Sequence, residues 1–332
     1  MSPPILLTGV TGGLGAKVLQ DMLQVHKTPA ASIIATSRSE ANRERCESQG
    51  LQFRVADFAR PETLRAAFEG VGDLLFMSSS ERDTPKRSIE HANVVEAAKS
   101  MGVKMVWYVS LSLGGFGNGS KVGFQQAHYV TEAMLRDSGL TFVSLRAGSY
   151  ADAFPLFLNW YPSSKAVLMP ITEPPVHEGR AAWTSRDELG EGMATLLTKG
   201  LASFPSIKPR TDRNIILLTA STAVTPGYLI EAINRGRGTD IRMSFLEPDR
   251  WIEACATDDE GGKSPAWFES RLVWLQGLAN GDAEATDPAL ETLLGRTPEV
   301  GPVTVERLVR ADPGYTWHQN HMAPKGKVGG SG

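Results

Sequence analysis

Short apolar runs recur through the first half of the chain, each followed by a stretch with helical apolar spacing. Ile5, Leu6 and Leu7 read as a strand buried on both faces, and AKVLQDMLQV behind them as a helix. Further strands are predicted at 32–37, 51–58, 72–80, 104–112 and 140–146, and helices at 40–49, 61–70, 86–100 and 125–138. Pro61 and Gly70 open and close the 61–70 helix in the usual asymmetry of helix ends. In the 86–100 helix Ile89, Val94, Val95 and Ala98 share one face. Strands alternating with helices through short connections predict a parallel sheet covered by helices on both faces.

Beyond Tyr150 the texture changes. Residues 151–183 are rich in proline and aromatics, and 185–200 return to a clear helix with Ser185 as N-cap and Gly200 as stop. A strand at 213–220 and a helix at 225–236 follow, and 249–294 look mainly helical, with Trp251, Trp267 and Trp274 as packing anchors. This division predicts a dinucleotide-binding domain over 1–150, a smaller substrate-binding lobe interleaved with the sheet over 151–312, and a tail over 313–332. The lobe is expected over the carboxyl ends of the strands, where ligands bind in open α/β folds.

Composition narrows the partners. A formal net charge of −3 on 332 residues argues against electrostatically driven binding to nucleic acid or to anionic membranes. Cys46 and Cys255 stand alone, without metal-type spacing or a disulfide framework, which suits a reducing compartment. No apolar stretch approaches the length of a membrane span, and MSPP leads straight into the first strand, so no signal peptide is expected. A soluble cytoplasmic protein, monomer or homodimer, is the expectation.

The candidate chemistry begins at the turn after the first strand. Gly9, Gly12 and Gly15 fall at three-residue intervals, with Thr11, Gly13 and Leu14 between them, where a strand meets a helix. Glycines there allow a tight turn and close approach of the backbone to a pyrophosphate, which the helix N-terminus attracts. A Walker-type loop fits less well, because Lys17 does not directly follow Gly15. At the end of the second strand stand Ser37 and Arg38, with Arg43 close behind and no acid before Glu40. Arginine there suits a ribose 2′-phosphate, so NADP is favoured over NAD. Asp57 and Phe58 close the third strand, either bordering an adenine or as a turn-forming Asp beside a core Phe. Met77, Ser78 and Ser79 end the fourth, where backbone groups and hydroxyls could meet the pyrophosphate and the nicotinamide ribose.

Together with these features, ATSRS, FMSSS, VWYVSLS and above all HYVTEAMLRDSGLTFVSLRAGSY carry a family likeness. The chain resembles the NmrA-like branch of the atypical short-chain dehydrogenase/reductases, particularly its NADPH-dependent quinone oxidoreductase-like members. The resemblance implies a Rossmann-type doubly wound parallel sheet with a smaller C-terminal α/β substrate lobe. It also places Ser110, Gly148 and Tyr150 among the cofactor contacts. The segment after the sixth strand departs from the family pattern, with Ala147, Ser149 and Tyr150-Ala151-Asp152-Ala153, so the substrate does not carry over. GPVTVERLVRADPGYTWHQNHM beyond Arg296 resembles the extended tails of fungal members associated with specialised metabolism.

Ordinary members of the wider superfamily use a Tyr-x-x-x-Lys pair on the helix after the fifth strand. Here Tyr129 is followed four residues on by Ala133. Hydride transfer to an activated acceptor such as a quinone, enone or iminium would need no strong protein acid. Alternatively another group supplies the proton, His128 first, then Tyr129, Ser112 or Tyr150. Two non-redox readings also stand: an NADP-sensing regulator that catalyses nothing, and a cyclase or isomerase on the same fold. Arg146 either holds a loop or touches ligand. Phe154, Trp160 and Trp183, with Phe157 and Tyr161 nearby, are candidate walls for a small apolar or aromatic substrate. His318 and His321 are three apart without an apparent third ligand, so no metal is expected.

Overall fold

The computed structural model describes residues 3–81 and 83–321. Seven strands form one parallel sheet: β1 (Ile5–Leu7), β2 (Ile33–Ser37), β3 (Gln52–Val55), β4 (Asp73–Met77), β5 (Met105–Leu111), β6 (Phe142–Ala147) and, from the second half, β8 (Ile215–Leu218). Their order across the sheet is β3-β2-β1-β4-β5-β6-β8. β7 (Ala166–Pro170) and β9 (Arg242–Leu246) make a separate two-stranded parallel sheet that the hydrophobic pattern did not predict.

Alternation along the central strands builds two cores. Leu6, Leu74, Phe76, Val106 and Tyr108 face α3 (Pro61–Phe68), α4 (Thr84–Ser100) and α5 (Gly123–Ser138). Leu7, Leu75, Trp107, Val109 and Val143 face α1 (Gly13–Gln24), α7 (Arg186–Lys199) and α11 (Ala289–Leu294). Period-two alternation with both faces apolar is what a parallel sheet between helix layers requires. A third core joins α6 (Phe154–Leu158), β7, α8 (Pro226–Arg237), α9 (Pro248–Asp258), α10 (Pro265–Ala279) and α12 (Gly301–Ala311). Trp251 and Trp274 are buried in it and Trp267 packs against it.

Several elements differ from expectation. The predicted 40–49 helix is a 3-10 turn at Glu40–Asn42 followed by the single turn α2 (Arg43–Glu47). Ile89 is exposed, whereas Val94, Val95 and Ala98 are buried as expected. Ser185 holds the N-cap position of α7, but its side chain makes no capping bond. Asp152 does this instead, its Oδ2 accepting from the Arg186 N–H at 2.8 Å. A carboxylate at a helix start satisfies an orphan donor and complements the dipole. The tail is anchored in its described part: Tyr315 stacks on Phe154 and donates to the Asp152 carbonyl at 2.8 Å, and Asn320 donates to the Trp160 carbonyl at 2.9 Å. Residues 322–332 of the predicted tail lie outside the described residues.

At the carboxyl end of the sheet a buried ion pair ties three elements together. Arg146 on β6 meets Glu132 on α5 through two contacts, Nε to Oε1 at 2.9 Å and Nη2 to Oε2 at 2.6 Å, both side chains fully buried. Ser110 on β5 donates to Glu132 Oε1 at 2.8 Å, and Arg146 Nη1 donates to the carbonyls of Gly115 and Gly117. Arg146 therefore holds the loop after β5. Glu132→Ala leaves the guanidinium uncompensated in a dry interior and should lower stability by about 3–5 kcal/mol, read by urea titration.

Candidate active site

The glycine turn sits where β1 is flanked by β2 and β4, the point at which the strand order reverses and open α/β sheets bind ligand. Gly9 has φ +69°, and the Gly12 N–H donates to its carbonyl at 2.9 Å. A Cβ on Gly15 would lie 2.3 Å from that carbonyl oxygen, an approach that only glycine permits. The N-cap of α1 is Gly12, and no side chain caps the helix, so its first-turn N–H groups are left to an external acceptor. Thr11, Gly12 and Gly13 are exposed there, whereas the Leu14 side chain is buried in the core and only its backbone can face a ligand. These features fit a bound diphosphate. Arg186 brings a cation to the same turn: a Cβ on Gly13 would fall 2.0 Å from its Nη1, and its guanidinium lies 4.6 Å from the Trp317 ring.

At the end of β2 the two arginines separate. Arg43 is bound to Glu40 and Glu47 and rests over Phe53. Arg38 is exposed and forms no hydrogen bond or ion pair among the described residues. Ser37 accepts from the Ser39 N–H and from Asn42 Nδ2. Asp57 Oδ1 accepts from the Ala59 N–H at 3.1 Å, closing a local turn, and Phe58 packs edge-on against Phe76. Both sit half-buried at the open end of β3.

The end of β4 leads into a buried polar network. Met77 packs against Gly9, its N–H donating to Thr8 Oγ1 at 2.8 Å. Ser78 Oγ accepts from Arg87, and the Ser79 N–H donates to His91 Nε2 at 2.9 Å. Arg87 also donates to His128 Nε2 at 3.0 Å, so His128 Nδ1 carries the proton shared with Tyr108 Oη at 2.7 Å.

This arrangement corrects three expectations. Burial, with Arg87 second, holds His128 well below its ordinary pKa. It is a neutral, doubly bonded core histidine and not a near-neutral acid. Tyr129 is buried with its hydroxyl donating to the Leu113 carbonyl at 2.7 Å, and burial raises its pKa. Ser110 is fully buried and committed to Glu132, so it does not reach the cofactor cleft.

A cavity of about 320 Å³ opens at the carboxyl ends of β5 and β6. Ser112, Gly148 and Tyr150 line it together with Phe157, Arg271, Trp274 and Trp317. The Ser112 hydroxyl makes no hydrogen bond among the described residues, and burial pushes the Tyr150 hydroxyl up to about 12. Phe154, Trp160 and Trp183 are not on the wall; each is fully buried in the third core. On α6, Phe154 and Leu158 turn to that core while Leu156 and Phe157 turn to the cavity, and Trp183 stands behind Phe157 at 5.2 Å between ring centroids. Sequence reasoning missed Arg271 and Trp317 and treated Trp274 as core alone. All three come from elements more than a hundred residues from the strand ends they face, so no local spacing could have pointed to them.

Fold and turn thus define a dinucleotide-binding protein with an adjoining aromatic cavity. Residues 9–198 match the family model described as NAD(P)H-binding. Over 316 residues the chain is 39% identical to the NmrA-like family domain-containing oxidoreductase flvB of Aspergillus flavus, covering 95% of this chain and 97% of that one. The chain belongs to the NAD(P)H-binding family, within its NmrA-like, quinone-reductase-like oxidoreductases. Among solved structures it superposes on the Citrobacter sp. triphenylmethane reductase complexed with NADP(H), with a TM-score of 0.76 and 26% identity over 91% of this chain and 99% of that one. The Escherichia coli NADPH-dependent quinone oxidoreductase QOR2 complexed with NADPH gives 0.75 and 26%, over 92% and 99%.

The histidines of the network set an acid limit. Burial, then Arg87, depresses His91 from its ordinary 6.5 to about 3, and His128 is also strongly depressed. Below pH 6.5 the unfolded chain takes up protons that the folded chain excludes, so stability falls as pH falls. Each histidine should contribute a loss of about 1.4 kcal/mol per pH unit below that point. Urea midpoints measured from pH 7 to pH 5 should decline, and His91→Gln should flatten the slope.

Proposed function

We propose that the chain is an NADPH-dependent reductase that passes hydride to a flat, already electrophilic acceptor of the quinone, enone or iminium type. The carrying observation is the aromatic cavity beside the dinucleotide cleft, which offers hydroxyls but no acid of near-neutral pKa. With His128 neutral and tied into the core, the acceptor must bring its own electrophilicity. NADPH when bound supplies the hydride, and for a quinone the balance is quinone plus NADPH plus H⁺ giving hydroquinone plus NADP⁺. Ser112 is the side chain available to hold an acceptor oxygen or relay the solvent proton. Phe157, Trp274 and Trp317 enclose a planar ring and exclude water from it. Gly9, Thr11, Gly12, Gly13, Leu14 and Gly15 hold the diphosphate through backbone groups, Arg186 adds a cation, and Arg38 reads the 2′-phosphate.

Preference for the phosphorylated cofactor is supported by the free guanidinium of Arg38 and by the NADP(H) and NADPH found in the two superposed structures. A cytoplasmic location and a place in fungal specialised metabolism belong to the same reading. No described helix is long and apolar enough to cross a membrane.

Two measurements test this reading. NADPH consumption followed at the nicotinamide absorbance should appear with at least one member of a quinone panel; tight NADPH binding with no turnover of any member would point instead to a sensor. Arg38→Asp should weaken NADPH binding by about 10- to 100-fold, the range of a lost charge-assisted contact, with little effect on NADH. Equal losses for both cofactors would remove Arg38 from the 2′-phosphate site.

A further inference from the structure

Among the described residues Arg271 is the one charged side chain on the cavity wall, and no aspartate or glutamate accompanies it there. It projects from the middle of α10 toward the ends of β5 and β6. Among the described residues none of its nitrogens has a hydrogen-bond partner: Nε and Nη1 are sealed from solvent, and Nη2 is the nitrogen that solvent reaches. Three aromatic rings surround the guanidinium, Trp267 at 4.7 Å, Trp274 at 5.4 Å and Phe157 at 5.5 Å from its central carbon.

The rings and the missing partners act in different directions. Each ring face stabilises the cation. Ring faces do not satisfy in-plane N–H donors, and a buried donor without an acceptor is destabilising, more so when charged. Burial accordingly draws the guanidinium down to about 10, still charged at neutral pH. The fully buried Arg146, by contrast, is paired with Glu132. Arg271 is left for something that enters the cavity. Its charged Nη2 can donate to an anionic oxygen, and the flanking indoles suit the flat ring that would carry it.

We propose that Arg271 is the anion-recognition residue of the acceptor site, so that the substrate is a planar aromatic or quinonoid molecule bearing a carboxylate or another anionic oxygen. This rests on the reductase reading for the identity of the acceptor, but the recognition itself is a binding property. The anionic group lies against Arg271 on the α10 side, and the reducible part of the ring points to the ends of β5 and β6.

The test uses the NADP-loaded protein and two probes of one shape, naphthalene-2-carboxylate and naphthalene-2-carboxamide, titrated calorimetrically. The carboxylate should bind at least tenfold more tightly. Arg271→Gln should abolish that preference and Arg271→Lys should retain part of it, a pattern that a general loss of packing would not produce. Equal binding of the two probes, binding of neither, or a preference that survives in Arg271→Gln overturns the proposal. A parallel assay compares 1,4-naphthoquinone-2-carboxylate with its carboxamide for NADPH consumption, taking the wild-type ratio of kcat/KM over the Arg271→Gln ratio so that intrinsic reactivity cancels. Carboxylate preference in binding without reduction of either quinone would sink the reductase reading and uphold the anion site. Reduction of both quinones with equal kcat/KM ratios in the two proteins would do the reverse.

Discussion

The buried pair of Arg146 and Glu132 is the constraint on which the site depends. It joins β6 to α5, draws in Ser110 from β5, and pins the glycine-rich loop after β5 by its carbonyls. Leu111 at the end of β5 and Ser112 and Leu113 at the start of that loop line the cavity. Two charges fully withdrawn from water hold only if their donors and acceptors are met almost completely, and here nearly all are. The same cluster absorbs Tyr129, whose ring lies 5.1 Å beneath the Arg146 guanidinium and whose hydroxyl closes on the Leu113 carbonyl. Glu132 and Tyr129 thus commit α5 to holding the sheet end.

This redistribution shapes the chemistry. A neighbouring network of Arg87, His91, His128 and Tyr108 is satisfied internally and keeps both histidines neutral. The cavity is left with hydroxyls, aromatic faces and one cation. Such a site binds and orients more than it donates protons, which suits an acceptor whose own bonds are already polarised. The two arginines near the cleft have separate surroundings: Arg186 lies at the glycine turn beside Trp317, and Arg271 lies among rings across the cavity.

Much of the fold was legible because its signals are local. Apolar runs such as IILL and DLLFM sit between helical repeats, and a parallel sheet covered on both faces needs little more than that. The glycine turn was equally legible, since a Cβ at Gly15 would strike the Gly9 carbonyl and no other residue type satisfies that distance. The edges were less so. β7 and β9 pair only with each other and lack strong alternation: every residue of β9 is exposed or half-buried. Ser185 looked like a cap by residue type, yet Asp152, thirty-four positions before Arg186, performs the task.

What the sequence by itself determined is the cofactor side: strand, glycine turn, helix, and an arginine behind the second strand. These are contacts among residues close in the chain, and local steric rules decide them. What only the tertiary structure decided is the acceptor side. His128 and Tyr129 have the residue types of proton donors, and burial removed them from that role. Phe154, Trp160 and Trp183 have the residue types of a substrate wall, and helix phase turned them into the core. The cavity instead is lined by Phe157, Arg271, Trp274 and Trp317, which meet only because α6, α10 and the C-terminal segment pack over the ends of β5 and β6. Which face of an amphipathic aromatic stretch looks inward is set by the partner it packs against, and that partner is far away in the chain.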